Sequence, residues 1–322
     1  MLEYFELTTS IVVVFLASML FVNAIEYAGC MFELGSSFVG AIVSPLFTSL
    51  PEMIVFLVAV FVVKAESVGV GTIFGQPFMA SSLSYGLVGI AVLLGYKRGR
   101  RKDLKLKVDR SLAIPFAFVT FLFPLTILPA FLGHHRLFGL LFLASYLMYV
   151  WTMTRRGGEE ILEDANDLYI CPNYPKLGIT IQLICAVILL YIGSEWLVES
   201  VKVIAKELGM SELGLSLIIV PIATAIPETA SAIIWGYGGR DTLSLGSLVG
   251  EKILYSTFYP GIGLLTTSWI LDDHAYMSVV ATTVVSLVLL RYISREEVPL
   301  YALFMGMLFF VAYAFVIFVL HS

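Results

Sequence analysis

The chain has 322 residues, of which 59% are hydrophobic and 13% are charged, and its mean hydropathy is +0.94. Soluble domains carry about 25% charged residues, so this composition excludes a soluble globular protein and predicts a polytopic membrane protein. The formal net charge of −5 and a single short basic segment give no support for nucleic-acid binding. Three cysteines at unrelated spacings indicate neither a disulfide framework nor a zinc site.

Apolar runs of roughly 20 residues, the length that crosses a bilayer, recur along the whole chain. Dividing the sequence at its polar interruptions predicts an all-α fold with ten transmembrane helices. The predicted spans are 8–30, 36–63, 68–95, 111–132, 137–154, 177–203, 211–236, 243–269, 275–293 and 298–320. An acidic, turn-rich connecting loop at 155–176 separates a first five-helix half, 1–154, from a second, 177–322.

Basic residues set the predicted orientation, because cytoplasmic loops carry an excess of Lys and Arg. The loops after spans three, five, seven and nine hold 14 of the 19 basic residues. Most of these 14 lie in the segment YKRGRRKDLKLKVDR at 96–110. If these loops and the connecting loop are cytoplasmic, both termini face outward from the cell membrane. We expect the basic segment to set topology rather than bind lipid, and the sequence indicates no protein partner.

Two short segments nearly repeat each other: PLFTSLPEM at 45–53 and PIATAIPET at 221–229. A second match joins GTIFGQPFMASS to GSLVGEKILYST, which follow the first pair in each half. Because each half has an odd number of spans, the second copy enters the membrane from the opposite side. The sequence therefore predicts an inverted repeat with copies at about 36–95 and 211–269. Proteins built in this way place their sites near the bilayer midplane, where the halves meet.

Each repeated segment contains a glutamate, whose insertion into a membrane span has a high free-energy cost. A carboxylate at the bilayer centre costs about 2.5–3.5 kcal/mol and needs a partner, a cavity or a bound cation. Thr48 and Glu52 are four residues apart, as are Thr224 and Glu228, so each pair shares one helix face. These four residues are the first candidates for a cation site.

The prolines in the two segments add backbone oxygens to the candidate site. Proline removes the hydrogen bond to the carbonyl four residues earlier, so Pro51 frees the carbonyl of Phe47 and Pro227 frees that of Ala223. Freed carbonyls are tolerated at membrane depth where they line a cavity or find another partner. Two carboxylates, two hydroxyls and two carbonyls form an all-oxygen cage of the kind that binds calcium.

The third and eighth spans contribute glycine pairs and further polar residues. Glycines four residues apart let helices approach closely, and the pairs are Gly71 with Gly75 and Gly246 with Gly250. Gln76 follows the first pair, whereas Glu251 and Lys252 follow the second. If Lys252 points inward, it reduces the charge of the three glutamates to −2, which balances one divalent cation. Three roles stay open for Lys252: its ammonium substitutes for a bound sodium ion, it couples transport to protons, or it forms a purely structural ion pair with a glutamate.

These residues resemble the cation/calcium exchanger superfamily, which includes the sodium/calcium exchangers and their microbial relatives. That family carries G-[TN]-S-x-P-E on its second and seventh spans, where this chain has FTSLPE and ATAIPE. The resemblance covers both halves of the chain. It implies that Glu52 and Glu228 are the central calcium ligands, with Thr48 and Thr224 as neighbouring ligands and Ser49 as a sodium-site serine.

The sequence also departs from the family pattern at positions that bear on the counter-ion. The mate of Ser49 is Ala225, and Gln76 and Glu251 occupy the family's serine positions. An Asn or Asp expected four residues later is replaced in both halves, by Ala80 and by Tyr255. These changes leave the counter-ion open between sodium and protons.

The sequence thus predicts a secondary antiporter, with calcium as the favoured ion, that works by alternating access in a lipid bilayer. Spans one and six would move against a core that holds the site. A proton-coupled exchanger of magnesium, manganese or a monovalent ion stays open, and so does a cation channel. We expect no enzyme, because no HExxH or GxGD motif accompanies the glutamates, and no cofactor beyond the transported inorganic cations.

Overall fold

The computed structural model describes residues 2–31, 44–156 and 167–320 of the chain. Part of predicted span two and part of the connecting loop therefore lie outside the described residues. The helices are α1 (Leu2–Met31), α2 (Ser44–Thr48), α3 (Leu50–Leu57), α4 (Glu66–Met79), α5 (Tyr85–Lys97), α6 (Ala113–Leu122), α7 (Leu128–Leu132), α8 (His135–Arg156), α9 (Pro175–Leu208), α10 (Glu212–Thr224), α11 (Ile226–Gly238), α12 (Asp241–Ser256), α13 (Phe258–Thr266), α14 (Asp273–Ile293) and α15 (Leu300–Phe315). Single π-helical turns lie at Val58–Val62, Ala80–Ser84 and Val316–Leu320, and 3-10 turns lie at Arg110–Leu112 and Phe123–Ile127. Two short strands, β1 (Leu106–Lys107) and β2 (Glu297–Val298), pair antiparallel.

The described helices include seven that are long and apolar enough to cross a membrane, which confirms a multi-pass membrane protein. They correspond to predicted spans one, three, four, five, six, nine and ten. An eighth is obtained if α10 and α11, which are bent by 66° relative to each other, form one broken span. Predicted span eight is divided into the shorter helices α12 and α13, and the described part of span two into α2 and α3. The count of ten spans stays a prediction.

The two proline-containing segments break their helices at equivalent residues. Between α2 and α3, Ser49 has φ −85° and ψ 3°, and between α10 and α11, Ala225 has φ −89° and ψ 5°. Both breaks lie two residues before a proline, Pro51 in the first and Pro227 in the second. Proline has no N–H to continue the helical hydrogen bonds, so the preceding helix ends and a new one begins.

Close packing of α4 against α10 brings the two halves of the chain together. A Cβ atom on Gly75 would lie 2.8 Å from the carbonyl oxygen of Leu217, and one on Gly71 would overlap α10 as well. The predicted close approach at this glycine pair is confirmed. At Gly246 the nearest atom to an added Cβ is a methyl carbon of Leu112 at 3.5 Å, an ordinary contact, so the expectation of close packing there was wrong.

The longest helices of the two halves, α1 and α9, pack along each other and share a buried polar contact. The Gln182 amide nitrogen donates to the Asn23 side-chain oxygen at 2.8 Å and to the carbonyl of Leu20 at 2.8 Å. The Asn23 amide in turn donates to the backbone carbonyl of Asp167 at 3.2 Å. This network joins predicted spans one and six to the end of the connecting loop.

The basic segment between α5 and α6 is held by a buried ion pair. Arg101 is 8% exposed, and its guanidinium lies 3.0 Å from the Asp241 carboxylate at the start of α12. It also donates to the carbonyl of Gly236 at 2.7 Å. The backbone N–H of Lys107 donates to Asp241 at 2.8 Å, within the strand that pairs with β2. One arginine of the basic segment therefore has a structural role.

Candidate cation site

Three glutamates from three helices converge inside the helical bundle. Glu52 lies in the first turn of α3, Glu228 in the first turn of α11, and Glu251 in α12. Glu52 is 1% exposed and Glu251 is 7% exposed, whereas Glu228 is partly exposed. The carboxyl groups of Glu228 and Glu251 lie within hydrogen-bonding reach of each other, and both interact electrostatically with Glu52. Carboxylates so close and so buried require a proton or a cation between them.

Polar side chains from other helices contact these carboxyl groups. The Thr48 hydroxyl donates to Glu251 Oε1 at 3.4 Å, and the Gln76 amide donates to Glu52 Oε1 at 3.2 Å. The Thr224 hydroxyl interacts with Glu52 and donates to the backbone carbonyl one turn earlier at 3.1 Å. The structure therefore brings together six of the candidate residues that the sequence singled out, although they come from both halves of the chain.

Several oxygens in this cluster have no hydrogen-bond donor among the described residues. They are Oε2 of Glu52, Oε2 of Glu228 and Oε1 of Gln76. Buried polar atoms are almost always paired, so three such oxygens in one place suit the binding of a cation. The described residues contain no group of three His, Cys, Asp or Glu side chains placed to hold one metal ion. Hydroxyl, amide or backbone oxygens, or water, would therefore complete the coordination of a hard cation such as calcium.

Ser49 is completely buried at the break between α2 and α3, and its oxygens are engaged by neighbouring groups. Its hydroxyl donates to the carbonyl of Leu46 at 3.2 Å. The Tyr259 hydroxyl donates to the Ser49 carbonyl at 2.5 Å and lies 3.0 Å from its Oγ. The proposed sodium ligand is thus part of a hydrogen-bonded clamp on the helix break, and its role in ion binding stays a prediction.

The two residues whose carbonyls were expected to be freed lie in the last turns before the breaks. Phe47 lies in α2 with its side chain 37% exposed, and Ala223 lies in α10 and is completely buried. Their positions agree with the predicted location, and the use of their carbonyls as ligands stays a prediction.

Lys252 follows Glu251 directly but lies in different surroundings. Its ammonium group is 4.3 Å from the ring centroid of Tyr85 and donates to the Ser81 hydroxyl at 2.8 Å. It forms no ion pair with a described carboxylate. The salt bridges within the described ranges are Arg101–Asp241, Lys105–Glu297 and Lys107–Asp103. The ion pair with a glutamate that the sequence left open is therefore not found in this part of the chain.

Sequence reasoning missed one tyrosine and one acidic residue beside the site. Tyr259 clamps the helix break and stacks on Tyr255, with ring centroids 4.3 Å apart and planes at 5°. Both tyrosines follow Glu251 at successive intervals of four residues, a spacing that could have predicted a shared face. Glu26 of α1 acts electrostatically on Glu228, but nothing in its local sequence distinguishes it from an ordinary residue near a helix end.

The proline-broken helices bring carboxylates together inside a membrane protein, an arrangement that is typical of intramembrane ion sites. The sequence profile described as "Sodium/calcium exchanger protein" matches residues 4–155 and 178–321. The chain therefore belongs to the sodium/calcium exchanger protein family, and it has the fold of transporters rather than of enzymes.

Individual relatives agree with this assignment. CaxA of Alkalimonas amylolytica is 30% identical over 186 residues, which make up 52% of this chain and 58% of CaxA. The sodium/calcium exchanger MaX1 of Methanosarcina acetivorans is 35% identical over 83 residues, 26% of this chain and 24% of MaX1. The matches therefore span less than two thirds of either relative.

Solved structures show the same fold. A crystal structure of the H+/Ca2+ exchanger CAX superposes with a TM-score of 0.75 at 17% identity, over 99% of this chain and 85% of CAX. The sodium-calcium exchanger NCX_Mj superposes with a TM-score of 0.61 at 20% identity, over 97% of both chains.

Proposed function

We propose that this protein is a secondary antiporter that moves calcium across a membrane in exchange for protons, by alternating access. The observation that carries the proposal is the cluster of three glutamates, two of them buried, beside two proline-broken helices, with oxygens that accept no hydrogen bond from the described residues. Family membership supports antiport of a cation. The names of MaX1, CAX and NCX_Mj, all of which refer to calcium exchange, support calcium as the transported ion.

In this proposal, calcium binds at the cluster of Glu52, Glu228 and Glu251. Because the described residues place no three carboxylates around one ion, at most two of these carboxylates coordinate it at a time. Carboxylate oxygens are preferred calcium ligands, and calcium accepts six to eight oxygens in flexible geometry. The remaining ligands would come from side chains already in contact with these carboxylates or from carbonyls at the helix breaks. These further candidates are Thr48, Thr224, Gln76, Phe47 and Ala223.

Two features favour protons over sodium as the counter-ion. Glu228 and Glu251 are within hydrogen-bonding reach of each other, so a single proton between them relieves their repulsion when calcium leaves. The hydroxyl that the family resemblance assigned to sodium, that of Ser49, already donates to Leu46 and contacts Tyr259. Its counterpart in the second half is Ala225, which has no hydroxyl.

The helix contacts support an inverted repeat of two five-span halves, 1–154 and 177–322, joined by the loop 155–176. If α1, α2, α4, α5, α6 and α8 correspond to α9, α10, α12, α13, α14 and α15, exchanging counterparts reproduces several contacts: α4 on α10 becomes α12 on α2, α8 on α13 becomes α15 on α5, and α14 on α4 becomes α6 on α12. The contact of α5 with α11 has no such counterpart of similar extent among the described residues. The pairs α1 with α9 and α6 with α14 map onto themselves. The matching backbone angles at Ser49 and Ala225 fit the same symmetry.

The pair formed by α1 and α9 is the element that we propose to move. These helices pack along each other and share the Asn23–Gln182 hydrogen bond at 2.8 Å, so they can shift together as one body. The glutamates lie on α3, α11 and α12, outside this pair. Movement of α1 and α9 would then expose the site to one side of the membrane at a time, with both termini outside the cell.

The decisive experiment is uptake of radiolabelled calcium into proteoliposomes under two separate gradients. An imposed pH gradient without sodium is expected to drive uptake, whereas a sodium gradient at equal pH is expected to drive little. Sodium-driven uptake that equals pH-driven uptake would contradict the counter-ion. Calcium flux that follows its own gradient without any counter-ion would contradict antiport and indicate a channel.

Variants test the site itself in the same assay. We expect Glu52→Gln and Glu228→Gln each to abolish uptake without loss of the folded protein, because each removes a charged ligand. The matched control is Glu199→Gln, which neutralises an exposed glutamate on α9 and should leave uptake unchanged. Substantial calcium uptake by the E52Q/E228Q double variant would refute the site.

A further inference from the structure

Lys252 is a buried lysine that the proposed calcium site does not use. It is 1% exposed, and its nearest polar partner is the Ser81 hydroxyl at 2.8 Å. The faces of two aromatic rings complete its surroundings: Tyr85 at 4.3 Å and Phe116 at 5.7 Å from the ammonium nitrogen. A ring face attracts a cation most strongly where water is excluded. These three side chains form a pocket whose chemistry suits a monovalent cation.

The wall of this pocket is built by an irregular helical turn. Ser81 and Tyr85 lie in and directly after the π-helical turn Ala80–Ser84 that joins α4 to α5, and such turns are frequent at functional sites. Ser84 in this turn hydrogen-bonds to Thr229 of α11 at 2.9 Å. A Cβ on Gly306 would overlap the Ser81 carbonyl, so α15 packs directly on the turn. The turn is therefore fixed from two sides.

Lys252 and the carboxylate cluster are neighbours in sequence but lie in different surroundings. Glu251 and Lys252 are adjacent in α12 and point about 100° apart around an ideal helix, so the ammonium contacts Ser81 and the two rings instead of a carboxylate. With its three glutamates ionised and Lys252 protonated, the core carries −2, the charge that one calcium ion neutralises.

We propose that the pocket of Ser81, Tyr85 and Phe116 is a monovalent-cation site that Lys252 fills permanently. This tethered cation offsets one of the three carboxylate charges in the membrane core. The inference about charge rests on the proposed function, whereas the cation pocket itself does not. When Lys252 is replaced by alanine, such a pocket should bind a free alkylammonium ion that is as long as the missing part of the lysine side chain.

The experiment replaces Lys252 by alanine and returns the missing group as propylammonium. Thermal unfolding of purified K252A should shift to higher temperature as propylammonium is added, and the effect should saturate. Wild-type protein, whose pocket is full, should not respond. The control ligand is 1-propanol, which has the same length without the charge. Propylammonium should bind K252A at least about tenfold more tightly than propanol, because a desolvated cation gains from the ring faces.

Calcium uptake provides a readout that a purely structural lysine would not change. K252A should lose most of its uptake and recover it with propylammonium but not with propanol, and Lys252→Arg should keep uptake throughout. Equal effects of propanol and propylammonium would overturn the proposal, since the pocket would then require only volume. Failure of propylammonium to bind K252A would overturn it as well. If the wild type transports no calcium, the proposed function fails, and the unfolding experiment still decides the nature of the pocket.

Discussion

The Tyr259 hydroxyl holds the break of the first proline-containing helix, and the neighbouring Tyr255 provides a control for it. Tyr259 donates to the Ser49 carbonyl at 2.5 Å and lies 3.0 Å from its hydroxyl. The Tyr255 hydroxyl is buried, and the polar group that it approaches among the described residues is the Tyr259 hydroxyl, not the helix break. The two rings stack on each other, so Tyr259→Phe and Tyr255→Phe each remove one buried hydroxyl from the same stack and keep its packing.

The expected magnitudes follow from what each hydroxyl contacts. Removing a partner from a buried hydrogen bond costs about 1–3 kcal/mol. The Ser49 carbonyl keeps a second donor, the Met53 backbone N–H at 3.2 Å, so we expect about 1–2 kcal/mol for Y259F. Y255F removes a buried hydroxyl that contacts no backbone carbonyl of the helix break, so its effect should lie within about 1 kcal/mol of zero.

Thermal unfolding in detergent measures the difference between the two variants. One kcal/mol corresponds to about 2–4 °C in proteins of 150–250 residues, so Y259F should unfold a few degrees below Y255F. Calcium uptake should also fall in Y259F, because the clamped break positions Thr48 and Glu52 on either side of Ser49. Equal unfolding temperatures and equal uptake for the two variants would refute the clamp.

Two further matched pairs test how the helices are held together. Gly75→Ala should destabilise the fold by about 1–3 kcal/mol through overpacking against α10, whereas Gly246→Ala has ordinary room and should be neutral or stabilising; unfolding temperatures that fall equally would contradict this. Arg101→Met leaves the Asp241 carboxylate, 6% exposed, without its partner and should cost about 3–5 kcal/mol. Lys102→Met, at an exposed position, should be nearly neutral, and an equal loss in both would show that the ion pair has no special role.

The location of the carboxylate cluster could be predicted because it follows from local chemistry. A proline interrupts its helix wherever the helix lies, and a glutamate four residues from a threonine shares its face in any fold. The observed contacts of Thr48 with Glu251 and of Gln76 with Glu52 join segments that the internal repeat had already placed at equivalent positions.

The direction of individual side chains could not be predicted, because it depends on packing between helices. Periodicity gave Lys252 a position about 100° from Glu251 but not the neighbour that it would meet there. Its partner Ser81 is presented by a π-helical turn, and nothing in the local sequence predicts the extra residue of such a turn. The same holds for Tyr259, whose spacing predicts a helix face but not a contact with Ser49 on a distant helix.

The separation of the Glu251 and Lys252 side chains, which form no ion pair with each other, also has an energetic reason. An ion pair between them would cancel one carboxylate, and the cluster would then bind a divalent cation with less charge. In the observed arrangement, Glu251 keeps its contact with Thr48, and Lys252 is stabilised by a hydroxyl and two ring faces that do not consume a carboxylate. The three carboxylates of the cluster therefore stay free of an ion pair with Lys252.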